Sequence, residues 1–398
     1  MKKILFFVNE VCPGGMTAAL RNIISMLDCE KYHVSVVVAY VYGEMFNELK
    51  KDFDVRMPFE KFYFPNNRIC RKLKSMVVNF LEKNRRKYPG LYHKLAIKEN
   101  FDIEVAFTFK GIPQVIAKSP NKYSKKVAWI HGDSYTNKDI FSLHKDLSAC
   151  IQCYEKFDKI VCVSQNAKDS FEGVLGIKNN VTVKYNPIND EKIRELSKEE
   201  VLLINEKSKE KVICSVGRLS VEKGYCRLVK IHAKLIKKGI AHKLVIVGEG
   251  EEREKLEQIL REERIENSVF LTGYDSNPYK YMAKSDFFVC SSFTEGLPVV
   301  CQEALALGIP VVSSFPSVGE LFGDETCGIL SEVDDDSLMA AIEKMLTDEE
   351  FYRKCKAGAE KRAEYFGLDK SENFEEFKQK YLKDVPAPEV KPKKEYLT

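Results

Sequence analysis

Short apolar runs alternate with helix-like stretches along most of the chain, and this alternation restricts the fold more than any other feature of the sequence. In the first half the runs are ILFFV, VSVVVAY, DIEVAF, KVAWI and KIVCV, and in the second half they are VICSV, KLVIV, VFL, FFVC and PVVSS. Strands that alternate with helices form parallel sheets whose two faces those helices cover. A chain of 398 residues also exceeds the roughly 250–300 residues at which a single core stops growing. The sequence therefore predicts an α/β protein with two doubly wound, Rossmann-like domains.

The alternation pauses at Asn186-Pro187, and we place the boundary between the domains there. The predicted units are an N-terminal domain over residues 1–185 and a C-terminal domain over residues 186–364. The second unit is expected to open with a charged helix from Glu191 to Lys211. Residues 365–384 are expected to form a helix that packs back on the N-terminal domain. Residues 385–398 are rich in Pro and charge without periodicity, which predicts a disordered tail.

Composition excludes several classes of protein. No apolar run approaches the roughly 20 residues that cross a bilayer, and MKKILFFVNEVCPGG is interpreted as a first strand rather than a signal peptide. Several of the 12 cysteines lie inside apolar strands, as expected for reduced, buried thiols in a cytoplasmic protein. Cys150 and Cys153 form a CxxC pair, but no second pair or neighbouring histidine pattern accompanies them, so we interpret them as ordinary cysteines rather than a redox or metal pair.

Charge is divided unevenly between the two halves. Residues 1–189 carry 30 Lys and Arg against 19 Asp and Glu, whereas the remaining residues carry 33 against 40. Much of the basic excess lies between Arg68 and Lys98, where ten Lys and Arg stand against one Glu and apolar residues recur at helical spacing. This segment is either a helix packed on its own domain with a solvated basic face, or a contact to an anionic membrane surface.

The stretch SSFTEGLPVVCQEALALGIPVVSS holds two acidic residues, Glu295 and Glu303, in an almost uncharged run. FFVC before it and PVVSS at its end are interpreted as strands, with a helix between them. Pro298 suits the first turn of that helix and Gly308 suits its exit. Glu295 then lies in the strand-to-helix loop and Glu303 in the helix. Carboxylates beside a helix N-terminus at the carboxyl end of a parallel strand indicate a pocket for a ligand with hydroxyls and phosphates.

Three further candidate sites follow strands, where open α/β sheets bind ligands. Gly14 and Gly15 follow the first strand and let the backbone approach a ligand, although a plain tight turn explains them equally well. The loop GRLSVEKGY, from Gly217 to Tyr225, carries Arg218 and Lys223, which can converge on one pyrophosphate. His131 in WIHGD follows an apolar strand and can hydrogen-bond a sugar hydroxyl as a neutral imidazole, although a lone histidine is more often structural.

These segments together resemble a known family. GRLSVEKG, LVIVGEGEERE, VFLTGY and above all EGLPVVCQE, a Glu-x7-Glu motif, are similar to the retaining glycosyltransferases of family 4. The resemblance covers nearly the whole chain and is most specific from Gly217 to Gly308. It implies the GT-B fold, in which two Rossmann-like domains face each other across a cleft. It also implies that the N-terminal domain binds the acceptor and the C-terminal domain binds a nucleotide sugar.

The resemblance assigns roles to particular residues. Glu295 would hold hydroxyls of the donor sugar, Glu303 the ribose, and Arg218 with Lys223 the diphosphate, so that these cations and the helix N-terminus stabilise the leaving group. The expected catalytic residues are Arg218, Lys223, Glu295 and His131. The expected donor-binding residues are Gly14, Gly15, Gly217, Arg218, Lys223, Tyr274, Glu295, Gly296, Leu297, Pro298, Val299 and Glu303.

The family resemblance also suggests partners. The expected donor is a nucleotide sugar, with UDP the commonest nucleotide, and no cofactor or metal is expected. The triplet Asp334 to Asp336 is interpreted as a helix cap rather than a cation site. The expected acceptor is a lipid-linked oligosaccharide of cell-surface polysaccharide biosynthesis, reached from the cytoplasm or from the inner membrane face through Arg68 to Lys98. No nucleic-acid partner is expected. A nucleotide-sugar epimerase, a phosphorylase and a catalytically silent binding subunit are the alternatives.

Overall fold

The computed structural model describes residues 1–12, 14–41, 45–59, 68–136, 140–141, 144–201 and 210–366, with side chains undescribed at 68–74. Most of the predicted C-terminal helix, residues 367–384, and the whole predicted tail lie outside this part of the chain. No described helix is long and apolar enough to span a bilayer.

The N-terminal domain is built on a parallel sheet of seven described strands in the order β3-β2-β1-β4-β5-β6-β7. The strands are β1 (Lys2–Val11), β2 (Tyr32–Val41), β3 (Asp54–Arg56), β4 (Ile103–Ala106), β5 (Lys125–Ile130), β6 (Lys159–Cys162) and β7 (Val181–Val183). The helices are α1 (Gly15–Ser25), α2 (Met45–Asp52), α3 (Arg68–Lys83), α4 (Pro89–Ala96), α5 (Ile112–Ala117), α6 (Leu147–Tyr154) and α7 (Gln165–Leu175).

The C-terminal domain repeats this plan with six described parallel strands in the order β10-β9-β8-β11-β12-β13. The strands are β8 (Lys211–Val216), β9 (His242–Val247), β10 (Val269–Gly273), β11 (Phe287–Cys290), β12 (Val311–Ser313) and β13 (Gly328–Leu330). The helices are α8 (Asp190–Leu196), α9 (Tyr225–Lys237), α10 (Arg253–Glu263), α11 (Tyr279–Ala283), α12 (Val299–Ala306), α13 (Gly319–Phe322), α14 (Asp335–Thr347) and α15 (Glu349–Arg362). The prediction of two doubly wound domains is confirmed.

The central strands are buried on both faces, which explains their continuous apolar sequences. In β1 every residue from Ile4 to Val8 is buried, and all four residues of β11 are buried as well. Helix ends follow the expected chemistry. The Ser164 hydroxyl accepts from the Ala167 N–H at the start of α7, and Gly176 closes that helix with a φ of 70°.

Strand order reverses once in each sheet, and these reversals fix where a ligand can bind. In the first sheet β1 lies between β2 and β4, and in the second β8 lies between β9 and β11. Connections leave toward opposite faces at such a reversal, which opens a crevice beyond the carboxyl ends of the two central strands. The loops after β1, β4, β8 and β11 therefore carry the candidate site.

The charged helix expected from Glu191 to Lys211 is described only in part, because residues 202–209 lie outside the described part of the chain. Helix α8 ends at Leu196, and Lys211 pairs with His242 in register as the first residue of β8. At Lys211, strand pairing thus overrides the expected helix. The boundary near Asn186 stays a prediction, although the last described strand of the first sheet ends at Val183 and α8 begins at Asp190.

The basic segment from Arg68 to Lys98 forms α3, a turn and α4. On α3, Leu81 is buried against the core, whereas Met76 and Phe80 have 61% and 54% of their surface exposed. Arg85 belongs to this basic segment, so the sequence predicts an exposed side chain, and the structure shows that this prediction is wrong. Its side chain is only 6% exposed, donates from Nη2 to the Lys110 carbonyl at 2.8 Å and lies against the Tyr92 ring.

Candidate active site

Glu295 lies in the loop between β11 and α12, where two neighbours fix its carboxylate. The Lys223 ammonium donates to Glu295 Oε1 at 2.6 Å, and the Ser292 hydroxyl donates to the same oxygen at 2.7 Å. Burial alone would lower the pKa of Lys223, but the adjacent carboxylate outweighs it and holds this pKa above its ordinary value. The structure therefore places an ion pair at the carboxyl end of the central strands, with one oxygen of Glu295, Oε2, outside these two bonds.

Arg218 belongs to the same loop as Lys223, but its side chain turns to a different partner. Its guanidinium donates to Glu222 Oε1 at 2.9 Å, and 61% of the Arg218 side chain is exposed. The two cations expected to converge on one pyrophosphate are thus each paired with a carboxylate. An exposed pair of this kind contributes little to stability, about 0–1 kcal/mol. Arg218 can therefore exchange Glu222 for an incoming phosphate at low cost.

Glu303 lies inside α12 and is nearly enclosed, with 7% of its surface exposed. The Tyr279 hydroxyl donates to Glu303 Oε1 at 2.9 Å. Burial raises the pKa of Glu303 to about 7, more than the hydrogen bond from Tyr279 lowers it. A carboxylate that is partly protonated near neutral pH is sensitive to any ligand hydroxyl that donates to it.

The loop after β5 packs directly against the Glu295 loop. The Asp133 N–H donates to the Glu295 carbonyl at 3.2 Å, and the hydroxyls of Thr136 and Thr294 lie 2.7 Å apart. A Cβ on Gly296 would clash with the carbonyl oxygen of His131, so only glycine permits this approach. The two domains therefore meet at the WIHGD and TEGLP segments.

His131 lies beneath this contact. Its ring packs edge-on against Phe107 with the ring centroids 4.5 Å apart. Burial lowers the pKa of His131 to about 3, against a smaller opposing effect of a hydrogen bond to the Phe107 backbone. The Nε2 atom is buried and has no hydrogen-bond partner among the described residues. The imidazole is therefore neutral, and one of its nitrogens has no partner among the described residues.

The predicted glycine loop after β1 also reaches the second domain. Gly14 precedes α1 and Gly15 begins it. A Cβ on Gly15 would lie 3.1 Å from the Cβ of Val299, the first residue of α12. Pro298 caps that helix instead of occupying its first turn. Gly15 thus approaches the N-terminus of α12, beside the four buried residues Gly296, Leu297, Pro298 and Val299.

Two further predicted donor-binding residues follow strands of the second sheet. Gly217 follows β8 directly and donates its N–H to the Val247 carbonyl at 3.0 Å. Tyr274 follows β10 and has 56% of its surface exposed. Burial, and then the charges of Glu48 on α2 and of Asp275, raise the pKa of Tyr274. Tyr274 makes no side-chain hydrogen bond with the other predicted residues among those that the structure describes.

The sequence did not reveal several residues that organise the site. Ser292 supports Glu295, the Ser164 hydroxyl donates to the Gly296 carbonyl at 3.0 Å, and Tyr279 supports Glu303. Ser164 was recognisable as a helix cap, but nothing in the sequence connects it with a loop 132 residues away. Contacts between the domains depend on how the domains pack against each other, and local sequence patterns do not predict that packing.

No cluster of three or more metal-ligating side chains occurs among the described residues. The acidic triplet has structural partners. Asp334 accepts from the Ser337 N–H at 2.8 Å as the cap of α14, and Asp335 lies 3.4 Å from Arg227 Nε. The CxxC residues Cys150 and Cys153 are buried in α6, and burial raises the pKa of each thiol to about 12.

Comparison with known proteins agrees with this geometry. Residues 197–362 match the family model described as glycosyl transferases group 1. The chain is 31% identical over 380 residues, 92% of its length and 96% of the relative's, to the N-acetylgalactosamine-N,N'-diacetylbacillosaminyl-diphospho-undecaprenol 4-alpha-N-acetylgalactosaminyltransferase of Campylobacter jejuni. The chain belongs to the group 1 glycosyltransferases, and it is an enzyme that transfers a sugar.

Solved structures show the same fold at low sequence identity. Anabaena HepE, solved in complex with UDP-glucose, superposes with a TM-score of 0.73 at 20% identity over 96% of this chain and all of that one. A variant of Staphylococcus aureus TarM, solved with fondaparinux, alpha-GlcNAc-glycerol and UDP, gives a TM-score of 0.73 at 16% identity over 97% and 100% of the two chains. The GT-B architecture inferred from the sequence is confirmed.

Proposed function

We propose that the protein is a retaining glycosyltransferase that moves a hexose or N-acetylhexosamine from a UDP-sugar to a lipid-linked oligosaccharide for a cell-surface polysaccharide. The observation that carries the proposal is the Glu295 carboxylate. It is held by Lys223 and Ser292 at the reversal point of the second sheet, opposite the neutral His131 of the first domain. A fixed carboxylate beside a cation and a helix N-terminus suits a sugar joined to a diphosphate.

The donor chemistry follows from the two carboxylates. Glu295 would accept from hydroxyls of the transferred sugar, and the buried Glu303 would accept from the ribose. UDP as the nucleotide is supported by HepE and TarM, which were solved with UDP or UDP-glucose. A ligand that binds only the native state raises the unfolding temperature according to its concentration over Kd.

A thermal-shift panel tests the donor. We expect UDP and one UDP-sugar to raise the Tm, and GDP-mannose and dTDP-glucose to leave it unchanged. The control is Glu303→Gln, which should reduce the shift with UDP. A shift with another nucleotide alone would reject UDP, and UDP binding without sugar transfer would favour the catalytically silent subunit.

The reaction needs no protein base in this proposal. Departure of the diphosphate and attack by the acceptor occur on one face of the sugar through an oxocarbenium-like state, so the anomeric configuration is retained. Arg218, Lys223 and the N-terminus of α12 stabilise the charge that develops on the leaving diphosphate, and preorganised electrostatics of this type often dominates catalysis. Activity is expected to survive EDTA. Complete loss on chelation, restored by Mg²⁺ or Mn²⁺, would contradict this mechanism.

A lipid-linked acceptor is supported by two observations. The name of the C. jejuni relative states a diphospho-undecaprenol acceptor for that protein. In this chain, α3 exposes Met76 and Phe80, and Lys83, Arg86 and Lys87 are exposed close by in sequence. We call these five residues the α3 surface. Exposed apolar side chains among cations suit the interface of an anionic bilayer, where each Lys or Arg contributes about 1 kcal/mol.

Vesicle co-sedimentation tests membrane contact at the α3 surface. Binding is expected to need anionic lipid, to fall with salt, and to drop in the double variant Arg86→Glu, Lys87→Glu. The matched control is Lys230→Glu, Lys234→Glu, which reverses two exposed charges on α9 of the other domain. Arg85 is left intact because it is buried. Equal recovery of the protein with anionic and with neutral vesicles would show that the α3 surface does not bind anionic membranes, and it would favour a small soluble acceptor.

A further inference from the structure

The reversal point of the first sheet carries a charged pair that donor binding does not use. Glu10 is the penultimate residue of β1, and Lys110 follows β4, the neighbouring strand. Lys110 Nζ lies 3.9 Å from Glu10 Oε1, and 46% and 37% of the two side chains are exposed. The pair therefore lies at the edge of the sheet where ligands bind in doubly wound domains.

Lys110 has a backbone conformation that lysine rarely adopts. Its φ is 57°, in the left-handed region, and the next residue, Gly111, has a φ of 89°. A side chain with a Cβ is disfavoured there and persists only where the surroundings impose the conformation. Glycine would fit the position without strain. The strained lysine is therefore expected to be kept for its side chain.

A buried arginine holds this conformation in place. Arg85 donates from Nη2 to the Lys110 carbonyl at 2.8 Å, while its Nη1 is buried without a partner among the described residues. Its guanidinium also lies over the ring of Tyr40, 5.5 Å from the centroid. Tyr40 belongs to β2 and pairs in register with Glu10 of β1. Arg85 thus contacts the backbone of Lys110 and the strand neighbour of Glu10.

The Glu10–Lys110 pair and Arg218 of the other domain influence the same thiol. The thiol of Cys12, just after β1, has its pKa raised by burial and then by the charge of Glu10, while Arg218 and Lys110 lower it. Arg218, which the proposed function assigns to the donor diphosphate, thus acts electrostatically on the same thiol as Glu10 and Lys110.

We propose that Glu10 and Lys110 bind hydroxyl groups of the terminal sugar of the acceptor. A carboxylate accepts from one hydroxyl and the neighbouring ammonium donates to the next, a combination that suits adjacent hydroxyls on a sugar ring. The Glu10 carboxylate would repel the diphosphate of a lipid-linked acceptor. We therefore expect Glu10 and Lys110 to bind the sugar that is farthest from the diphosphate. This inference rests on the proposed function and assigns the acceptor side of the same cleft.

Acceptor kinetics test the inference. The probe is N-acetylgalactosaminyl-N,N'-diacetylbacillosaminyl-diphospho-undecaprenol, with the UDP-sugar that the wild-type protein uses. Lys110→Gly and Glu10→Gln are each expected to raise the acceptor KM about tenfold, the effect of losing one hydrogen bond to a charged group. Hydrolysis of the UDP-sugar without acceptor, and the Kd for UDP, should stay at wild-type values.

The glycine variant separates an acceptor role from a structural one. Lys110→Gly relieves the left-handed strain, so its Tm should equal or exceed that of the wild type. The matched control is Arg264→Gly, because Arg264 is another exposed cation in the left-handed region, with a φ of 58° at the end of α10. This control should leave the acceptor KM unchanged.

Two results would overturn the inference alone. One is an unchanged acceptor KM in both cleft variants, and the other is a loss of UDP binding equal to the change in KM. Absence of transfer by the wild-type protein would instead overturn the proposed function and this inference with it.

Discussion

The two faces of the cleft differ in how their polar side chains are held. On the C-terminal domain, Glu295 is fixed by Lys223 and Ser292, and Glu303 is enclosed with Tyr279. On the N-terminal domain, Lys110 Nζ lies 3.9 Å from Glu10 Oε1 and both side chains are partly exposed, and their geometry is imposed through the backbone of Lys110. Under the proposed function, the preorganised face binds the donor and the more exposed face binds the acceptor, and we call them the donor face and the acceptor face.

The difference predicts which kinetic quantity each face controls. Substitutions on the donor face should change nucleotide binding or turnover while leaving the acceptor KM near its wild-type value. Substitutions of the charged pair on the acceptor face should raise the acceptor KM while leaving nucleotide binding near its wild-type value.

The largest expected effect comes from comparing Glu295→Gln with Glu303→Gln. Glu295 would contact the reacting sugar, so its variant should lose roughly 100-fold in kcat, as when one preorganised electrostatic contact is removed, with UDP binding within about twofold of wild type. Glu303→Gln should weaken UDP binding about tenfold. Isothermal titration calorimetry and initial rates provide the data, and the reverse pattern would show that the two roles are exchanged.

The next effect concerns pH. Because burial raises the pKa of Glu303 to about 7, the carboxylate that we propose accepts from ribose forms only as the pH rises through 7. UDP affinity should therefore increase about tenfold between pH 6 and pH 8 in the wild type. The UDP phosphate also titrates near pH 6. Glu303→Gln serves as the control, because its UDP affinity still depends on the phosphate but no longer on the carboxylate. Equal pH profiles for the two proteins would reject the ribose contact.

The same pKa fixes the sign of a stability change in the ligand-free protein. The folded pKa of Glu303 lies above its unfolded value of about 4.5, so the native state binds more protons between these values. The unfolding free energy contributed by Glu303 is therefore greatest below pH 4.5 and is lost as the pH rises toward 7. Glu303→Gln should remove this component from the pH dependence of unfolding in urea.

A smaller effect is expected where the two faces are joined. Glu320 on α13 accepts from the N–H groups of Gln165 and Asn166 at 2.7 and 2.8 Å, at the start of α7 in the other domain. Negative charge at a helix N-terminus is favourable, so this contact helps to hold the domains together. Glu320→Gln should lower kcat several-fold and leave the Kd for UDP unchanged. A proportional loss of UDP binding would assign Glu320 to the donor pocket.

The donor face was the more predictable one from sequence. The strand FFVC, the loop with Glu295 and the helix with Glu303 are local, so burial pattern, Pro298 and the left-handed Gly308 identified them, even though Pro298 caps the helix instead of occupying its first turn. Lys223 and Arg218 were correctly expected on one loop. Their separate carboxylate partners, Glu295 and Glu222, were not expected, because side-chain pairing is decided by distances that the sequence does not show.

The acceptor face was less predictable for physical reasons. Arg85 occurs in a run of basic residues that resembles a solvated surface, yet it is buried and supports Lys110, 25 residues away. Lys110 precedes a glycine, and only the folded backbone reveals its left-handed conformation. Ser164, Thr136 and Glu320 were also missed, because each contacts a residue of the other domain.

Transfer of a sugar across the cleft is the most direct test of this account. The wild-type protein is incubated with the UDP-sugar identified by thermal shift and with N-acetylgalactosaminyl-N,N'-diacetylbacillosaminyl-diphospho-undecaprenol, in the presence of EDTA. We expect the acceptor to gain the mass of one hexose or N-acetylhexosamine, and an α-specific but not a β-specific glycosidase to remove it, as retention from an α-linked donor requires. An acceptor left unchanged despite UDP-sugar binding, or a product cleaved only by the β-specific enzyme, would contradict it.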